Sequence, residues 1–321
     1  MMNLKKWLSA ALCAVLIVGA LCACSGEILQ QQTEPQETGE PIVGTLATTE
    51  AETLPPDSFS DAEHLLSLRV LNTGKSDCIL ITMDDVVILM DTADTDDYTE
   101  IAQTLRSLQI ARIDYLILTH FDNDHIGCAA KVIDNFEVAQ VYMPNYVRDS
   151  SLYRSLLKSL EDHADRTTVQ RLNEDTEIAL PAGNLWINVS RVYPELSHDQ
   201  PIPEDSMDND LSLICGLSLG DFSALFMGDA EKKRCEDFLA QTQYQGQYDF
   251  VKLPHHGNYT KALREVLTGK GIKYGVICVD SFDLVDDSTV KMMRDFNART
   301  YYSYNGTMRL RTDGVTVECT Q

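Results

Sequence analysis

The chain runs Leu116-Ile117-Leu118-Thr119-His120-Phe121-Asp122-Asn123-Asp124-His125-Ile126-Gly127, an apolar strand-like segment that stops abruptly in two imidazoles and two carboxylates within six residues. Imidazole nitrogen suits zinc, manganese or iron, and carboxylate oxygen suits the harder members of that set. A lone loop histidine is most often solvated or held in a core. Four potential ligands crowded at a strand end are better explained by metal binding, and the rest of the chain is read outward from that point.

Upstream, Leu66–Leu71, Cys78–Thr82 and Val86–Met90 are rich in aliphatic and β-branched residues, with turn signals at Thr73-Gly74 and Asp84-Asp85 between them. They predict a β-meander. Tyr98–Leu108 carries Ile101, Leu105 and Leu108 at helical spacing, and Tyr115–Leu118 reads as a buried strand. Downstream the expected order is strand Val138–Tyr142, helix Leu152–Leu160 and strand Leu185–Val192, then a polar, proline-containing loop over Tyr193–Asn209. A hairpin follows in Leu211–Leu217 and Phe222–Met227, around Gly220-Asp221. Two helix-strand units come next, Glu231–Leu239 with Phe250–Leu253 and Lys261–Leu267 with Tyr274–Val279. A helix near Thr289–Asn297 and strands at Arg299–Ser303, Met308–Arg311 and Val315–Cys319 close the chain. Antiparallel groups of strands interrupted by helices imply an α/β protein in which a sandwich of sheets is covered by helices.

The N-terminal part is of another kind. Lys5 and Lys6 precede an uncharged apolar run, Trp7–Leu21, shorter than the ~20 residues that span a bilayer, so residues 1–24 read as a signal peptide. Leu21-Cys22-Ala23-Cys24 before Ser25-Gly26 resembles a bacterial lipobox, which implies lipid attachment at Cys24. Residues 25–64 hold nine acids and no Lys or Arg, with many Gln, Thr and Pro, and read as a disordered acidic tether. Residues 65–321 are expected to form one folded domain, placed by the anchor on the outer face of the cell membrane.

The formal charge of the whole chain is −23; setting aside the tether acids and Lys5 and Lys6 leaves −16 for residues 65–321. So acidic a domain is poorly suited to nonspecific binding of a polyphosphate backbone. Six cysteines lie beyond the leader, none in CxxC spacing, which excludes a zinc ribbon and favours buried free thiols.

The central segment resembles the HxHxDH signature of the metallo-β-lactamase superfamily, with Asp122 in place of the second histidine. With Ile126-Gly127 behind it, it is similar to the metallohydrolase domain of ComEC-type competence proteins and their stand-alone relatives. Further matches fall in the same order. Leu71-Asn72-Thr73-Gly74-Lys75-Ser76-Asp77 resembles an N-V-G-Q-G-D turn, and Met90-Asp91-Thr92-Ala93 resembles D-T-G. Asn209-Asp210-Leu211-Ser212-Leu213 resembles N-x-x-S-L, Met227-Gly228-Asp229-Ala230 resembles T-G-D-A, and Lys252-Leu253-Pro254-His255-His256-Gly257 resembles K-x-P-H-H-G.

The resemblance implies a metallo-β-lactamase αββα sandwich, two central mixed sheets flanked by helices, around two divalent metal ions, Zn²⁺ or Mn²⁺. In the implied ligand set His120, Asp122 and Asp229 hold the first metal, and Asp124, His125, Asp229 and His255 hold the second. Asp124 also orients the attacking water. His256, Asn209 and Lys75 are assigned to the scissile group, and Asp91 and Asp77 orient ligands. Where many members place a further histidine, only His163, in a polar helical stretch, and His198, in the acidic loop, are found here, and the resemblance to ComEC-type proteins points instead to Asn209 of the Asn-x-x-Ser segment to complete the first site.

Three functions follow as expectations. One is a phosphodiesterase or nuclease-like enzyme acting on a phosphoester, with DNA among the candidates. Another is hydrolysis of a small extracellular phosphoester or cell-wall component. The third is a non-catalytic metal-binding lipoprotein.

Overall fold

The computed structural model of the protein describes residues 58–321, so the leader with Cys24 and the tether up to residue 57 lie outside the described part. Its strands are β1 (Leu66–Val70), β2 (Ile79–Met83), β3 (Val86–Met90), β4 (Arg112–Ile117), β5 (Glu137–Pro144), β6 (Thr168–Leu172), β7 (Thr176–Ala179) and β8 (Gly183–Asn188). The series continues with β9 (Ile214–Leu219), β10 (Phe222–Phe226), β11 (Phe250–Lys252), β12 (Tyr274–Ile277), β13 (Arg299–Tyr302), β14 (Met308–Thr312) and β15 (Val317–Thr320). The helices are α1 (Tyr98–Ser107), α2 (Asn123–Ile126), α3 (Ala129–Asn135), α4 (Ser151–Asp162), α5 (Met207–Asp210), α6 (Lys232–Ala240), α7 (Lys261–Leu267) and α8 (Asp287–Asp295). None of the described helices is long and apolar enough to cross a membrane.

Two mixed sheets carry the molecule. The first runs β15-β14-β1-β2-β3-β4-β5-β6 and the second β13-β12-β11-β10-β9-β8-β7. The period-two alternation of a strand sends Leu68, Ile81, Ile88 and Met90 into a core shared with Leu185, Leu217 and Phe226 of the second sheet. Their neighbours Leu80, Leu89 and Leu116 face the other way, onto Ile101, Val132 and Leu156 of α1, α3 and α4. Leu225 and Val251 of the second sheet likewise pack on Phe238, Leu263 and Met292 of α6, α7 and α8. The layers are therefore helix, sheet, sheet, helix. Strands covered on both faces read as unbroken apolar runs, which is why β2, β3 and β9 stand out in the sequence.

Departures from expectation have local causes. β6 and β7 were not anticipated, and each is the outer strand of its sheet, where most side chains meet water and the apolar alternation fades. Leu185–Val192 was expected as one strand, but pairing ends at Asn188 because Asp175 takes the Val189 N–H (2.8 Å) and the Arg191 guanidinium (2.8 Å). Phe59, placed in the tether by the sequence, is buried, and the Arg311 guanidinium lies 4.8 Å from its ring centre. Packed structure thus begins before Leu65. All six cysteines of the described part are free thiols, and all but Cys319 are buried.

Candidate metal centre

β4 ends at Ile117, and Leu118 makes one last backbone bond across to Tyr142 before the chain leaves the sheet. Asp122 then starts the single turn α2, its carbonyl accepting from the amides of His125 and Ile126 (both 3.0 Å). That turn buries Asp124 and His125. Neighbouring turns are laced to it by backbone bonds from Asp77 N to Asp124 O (3.0 Å), Thr92 N to His125 O (2.7 Å) and Ala93 N to Asp77 O (2.8 Å). Gly127 lies so close to this lacing that a Cβ there would meet the Asp94 carbonyl carbon at 2.5 Å. The motif is fixed by backbone before any side chain acts.

Asp91 follows β3 in a left-handed conformation (φ 57°) that turns its carboxylate inward. It accepts from Thr119 N (2.8 Å), Thr119 Oγ1 (2.7 Å) and His125 Nδ1 (2.8 Å). The Thr119 hydroxyl has thus given its proton to Asp91 and can only accept from His120 Nδ1, 3.1 Å away. Both imidazoles then hold Nδ1–H, which leaves each Nε2 to act as a ligand. His120 Nε2 and His125 Nε2 are buried and make no hydrogen bond; Asp229 Oδ1 lies 3.3 Å from the latter without the alignment of one.

The remaining members come from the second sheet. Asp229 follows β10, and its Oδ2 lies 3.3 Å from His256 Nε2, which is also 3.2 Å from Asp124 Oδ2. Ligand atoms of His120, His125 and Asp229 lie within 4.8 Å of one another, as do those of Asp124, His125 and His256, and those of Asp77, Asp229 and His256. Two lysines enter as well. Lys252 is buried with its amine on Asp77, on Gly228 O (3.0 Å) and 3.5 Å from Asp229. Lys75, about half exposed, reaches Asp124 at 2.9 Å.

The charges settle accordingly. Burial and the neighbouring His125 push the His120 imidazole well below its usual pKa, so it is a neutral donor. Burial opposes a charged His125, but Asp229, Asp91 and Asp77 outweigh it and raise that imidazole well above the ordinary range. Burial disfavours an ionised Asp229 too, yet His125 and Lys252 hold it well below the ordinary carboxylate range. His256, against the pull of burial, is raised to about 9 by its bonds to Asp124 and Asp229. This is a compact set of carboxylates and imidazoles held together by protons and ammonium groups. Orphaned Nε2 atoms facing anionic oxygens are what divalent metals fit, and metal binding would release the protons.

Three of the residues assigned from the sequence are not brought into these groups. His255 does not face the cluster. Its Nδ1 is 3.1 Å from Glu231 and 3.2 Å from Asn258, and His256 occupies the inner place. Asp122 joins none of the ligand groups, since its Oδ1 is held by Arg148 (2.8 Å) and its Oδ2 lies 3.9 Å from His120 Nε2. Asn209 donates to Glu231 (3.2 Å) and leaves its Oδ1 buried and unbonded, so the structure sets it beside His255. Asp91 contacts His125, and Asp77 contacts Lys252 and lies 3.8 Å from His125. His163 is on Asp134, and His198 contacts the Asn145 carbonyl; neither enters the cluster. Sequence reasoning missed Arg148, Asp208 and Glu231, which stand outside the motifs or alter none of them; Lys252 was quoted only as part of its motif.

A model of the metallo-β-lactamase superfamily matches residues 71–204, which include the central segment. Comparison with curated proteins returns no match. Among solved structures, the chain is similar to CmlA, a diiron β-hydroxylase from Streptomyces venezuelae, at 13% identity and a TM-score of 0.50. The match covers 77% of this chain and 54% of that one, so this protein spans about half the length of the hydroxylase. It is also similar to YhfI, a metallo-β-lactamase fold protein from Bacillus subtilis, at 10% identity and a TM-score of 0.48, covering 80% of this chain and 100% of that one. A diphosphatase of the PhnP family gives 15% identity and a TM-score of 0.44, over 78% of this chain and 97% of that one. Two mixed sheets between helices give the chain the layering of a metallo-β-lactamase fold, and the superfamily model matches the part of it, residues 71–204, that carries the central segment.

Proposed function

We propose that the protein is an exported, membrane-anchored, metal-dependent hydrolase of phosphodiesters, with His120, Asp124, His125, Asp229 and His256 as the ligands already grouped for two divalent ions. The observation that carries this reading is the pair of buried, unbonded Nε2 atoms on His120 and His125 facing Asp229. The mixed nitrogen and oxygen donor set suits Zn²⁺ or Mn²⁺. Such ions lower the pKa of a water and steady the attacking and leaving oxygens of a displacement.

The chain's own groups supply the rest. Asp91 holds the His125 tautomer, and Lys252 holds Asp77 and Asp229 in place. Asp124 lies on the more open side of the site, between His256 and Lys75, where it can orient a water. Lys75 stands half exposed over Asp124 and is released to meet an anionic oxygen once Asp124 has another partner. His255, part-exposed beside Glu231, takes the role of substrate contact or proton donor that was expected of His256. The domain's charge of −16 favours a small phosphodiester, such as an extracellular or cell-wall ester, over a long nucleic acid. The resemblance to ComEC-type proteins is why DNA stays among the substrates to test.

The test is turnover of bis-p-nitrophenyl phosphate, single-stranded DNA, phosphocholine esters and a lactam, each with Mn²⁺ and with Zn²⁺. Hydrolysis of the small diester is expected, and Asp124→Asn should lower it by roughly 10²–10⁴-fold with the melting temperature retained. Failure of every phosphoester with both metals, or wild-type rates in the variant, would contradict the proposal.

A further inference from the structure

Asp122 sits two residues from His120 and two from Asp124, yet it joins neither ligand group: its Oδ1 is held elsewhere, and its Oδ2 stops 3.9 Å from His120 Nε2. The cause is Arg148, which lies between β5 and α4. Its Nη2 is 2.8 Å from Asp122, its Nε 2.9 Å from Asp208 and its Nη1 2.5 Å from Asp205. The side chain is only 12% exposed. Asp208 is itself fully buried and held from the other side by the Tyr146 hydroxyl and Phe121 N (3.2 Å). The guanidinium is thus hydrogen-bonded to Asp122 and Asp205 and packed against the buried Asp208 carboxyl, which holds it beside Asp122.

The two halves of the centre therefore differ in what they offer a cation. One presents Asp124, His125, His256 and Asp229. The other presents His120, the shared Asp229 and an Asp122 already paired with a fixed positive charge. We propose that Arg148 makes the centre unequal: the Asp124–His125–His256 half takes a divalent ion by itself, and the His120 half fills only when Arg148 gives up Asp122. This rests on the metal-dependent reading above and specifies how the two positions differ in occupancy.

The test is stepwise metal binding by the chelator-stripped full-length protein. Co²⁺ is followed through its visible absorption, and Zn²⁺ through competition with a chromophoric chelator. The wild type should bind one tight equivalent and a second at least about tenfold weaker. Arg148→Met removes a unit charge a few ångströms from that second position and should narrow the gap by about tenfold or more, leaving the first equivalent unchanged. Asp122→Asn, which keeps shape and removes the ligand, should leave the first equivalent and abolish the second. Two equivalents of equal affinity in the wild type overturn this inference alone, as does an unchanged gap in a folded Arg148→Met. A wild type that binds no metal overturns the hydrolase reading along with it.

Discussion

Asp91 shows how much one side chain decides here. By accepting from Thr119 and His125 at once, it fixes the Nδ1–H tautomer of His125 directly and that of His120 through Thr119. Losing such an orienting carboxylate typically weakens metal affinity by roughly 10- to 100-fold, and Asp91→Ala is expected to fall in that range by chelator competition. The adjacent histidines should separate cleanly. His256→Ala should weaken metal binding at least about tenfold, whereas His255→Ala should leave affinity near wild type and lower turnover instead. Equal losses of affinity would contradict the assigned orientation. That orientation could not be read from the sequence. Strand alternation would place every second residue inward, but both histidines take left-handed backbone angles (φ 46° and 54°), so the tight turn after Pro254 sets which ring enters. The ligand-bearing motifs themselves were readable because HxDxDH, the aspartate after β10 and the paired histidines after β11 are contiguous in sequence. Arg148 was not, because only folding brings it from beyond β5 to Asp122.

At the scale of elements, α6 is fastened by a buried cation. Arg234 is fully buried and donates to Ser212 O (2.8 Å), to the carbonyl (2.9 Å) and side chain (2.6 Å) of Asn188, and to Asp237 (2.7 Å). It thereby joins α6 to the end of β8 and to the entry of β9. Replacing one partner of such a network leaves buried acceptors unpaired, and Arg234→Ala is expected to cost about 3–5 kcal/mol in chemical denaturation. Asp175 gives the acid-side dependence. Burial opposes its charge, but Arg191, Val189 N and Tyr244 prevail and lower its pKa. A carboxyl lowered by folding adds stability that is complete above its unfolded value of roughly 4 and is lost as pH falls through the folded value. Asp175→Asn should therefore lower the melting temperature at pH 7, with a smaller deficit near pH 3; a constant deficit would contradict this linkage. Most readable from sequence were the strands with unbroken or alternating apolar runs, and the outer strands β13 and β15 were read as well. The outer strands β6 and β7 were not, because their polar exposed faces leave no period to follow.

For the whole molecule, charge bears on the proposed substrate and the lipobox-like segment on the proposed anchor. A chain at −23 should bind single-stranded DNA weakly at physiological salt and cleave small diesters more efficiently than DNA, which fluorescence anisotropy and paired rate measurements can check. If Cys24 carries lipid, Cys24→Ala should move the protein from the membrane fraction to the soluble one. The layered fold was readable because long apolar strands and amphipathic helices alternate along the chain, while the unequal surroundings of His120 and His125 emerge only when the two sheets meet. The most direct test of the metal centre is diffraction from crystals of the protein grown with Zn²⁺ or Mn²⁺, measured across the metal absorption edge. The expected result is an anomalous peak in contact with His125, Asp124, Asp229 and His256; a map with no peak there, or one centred on His255 and Glu231, would contradict the metal centre described above.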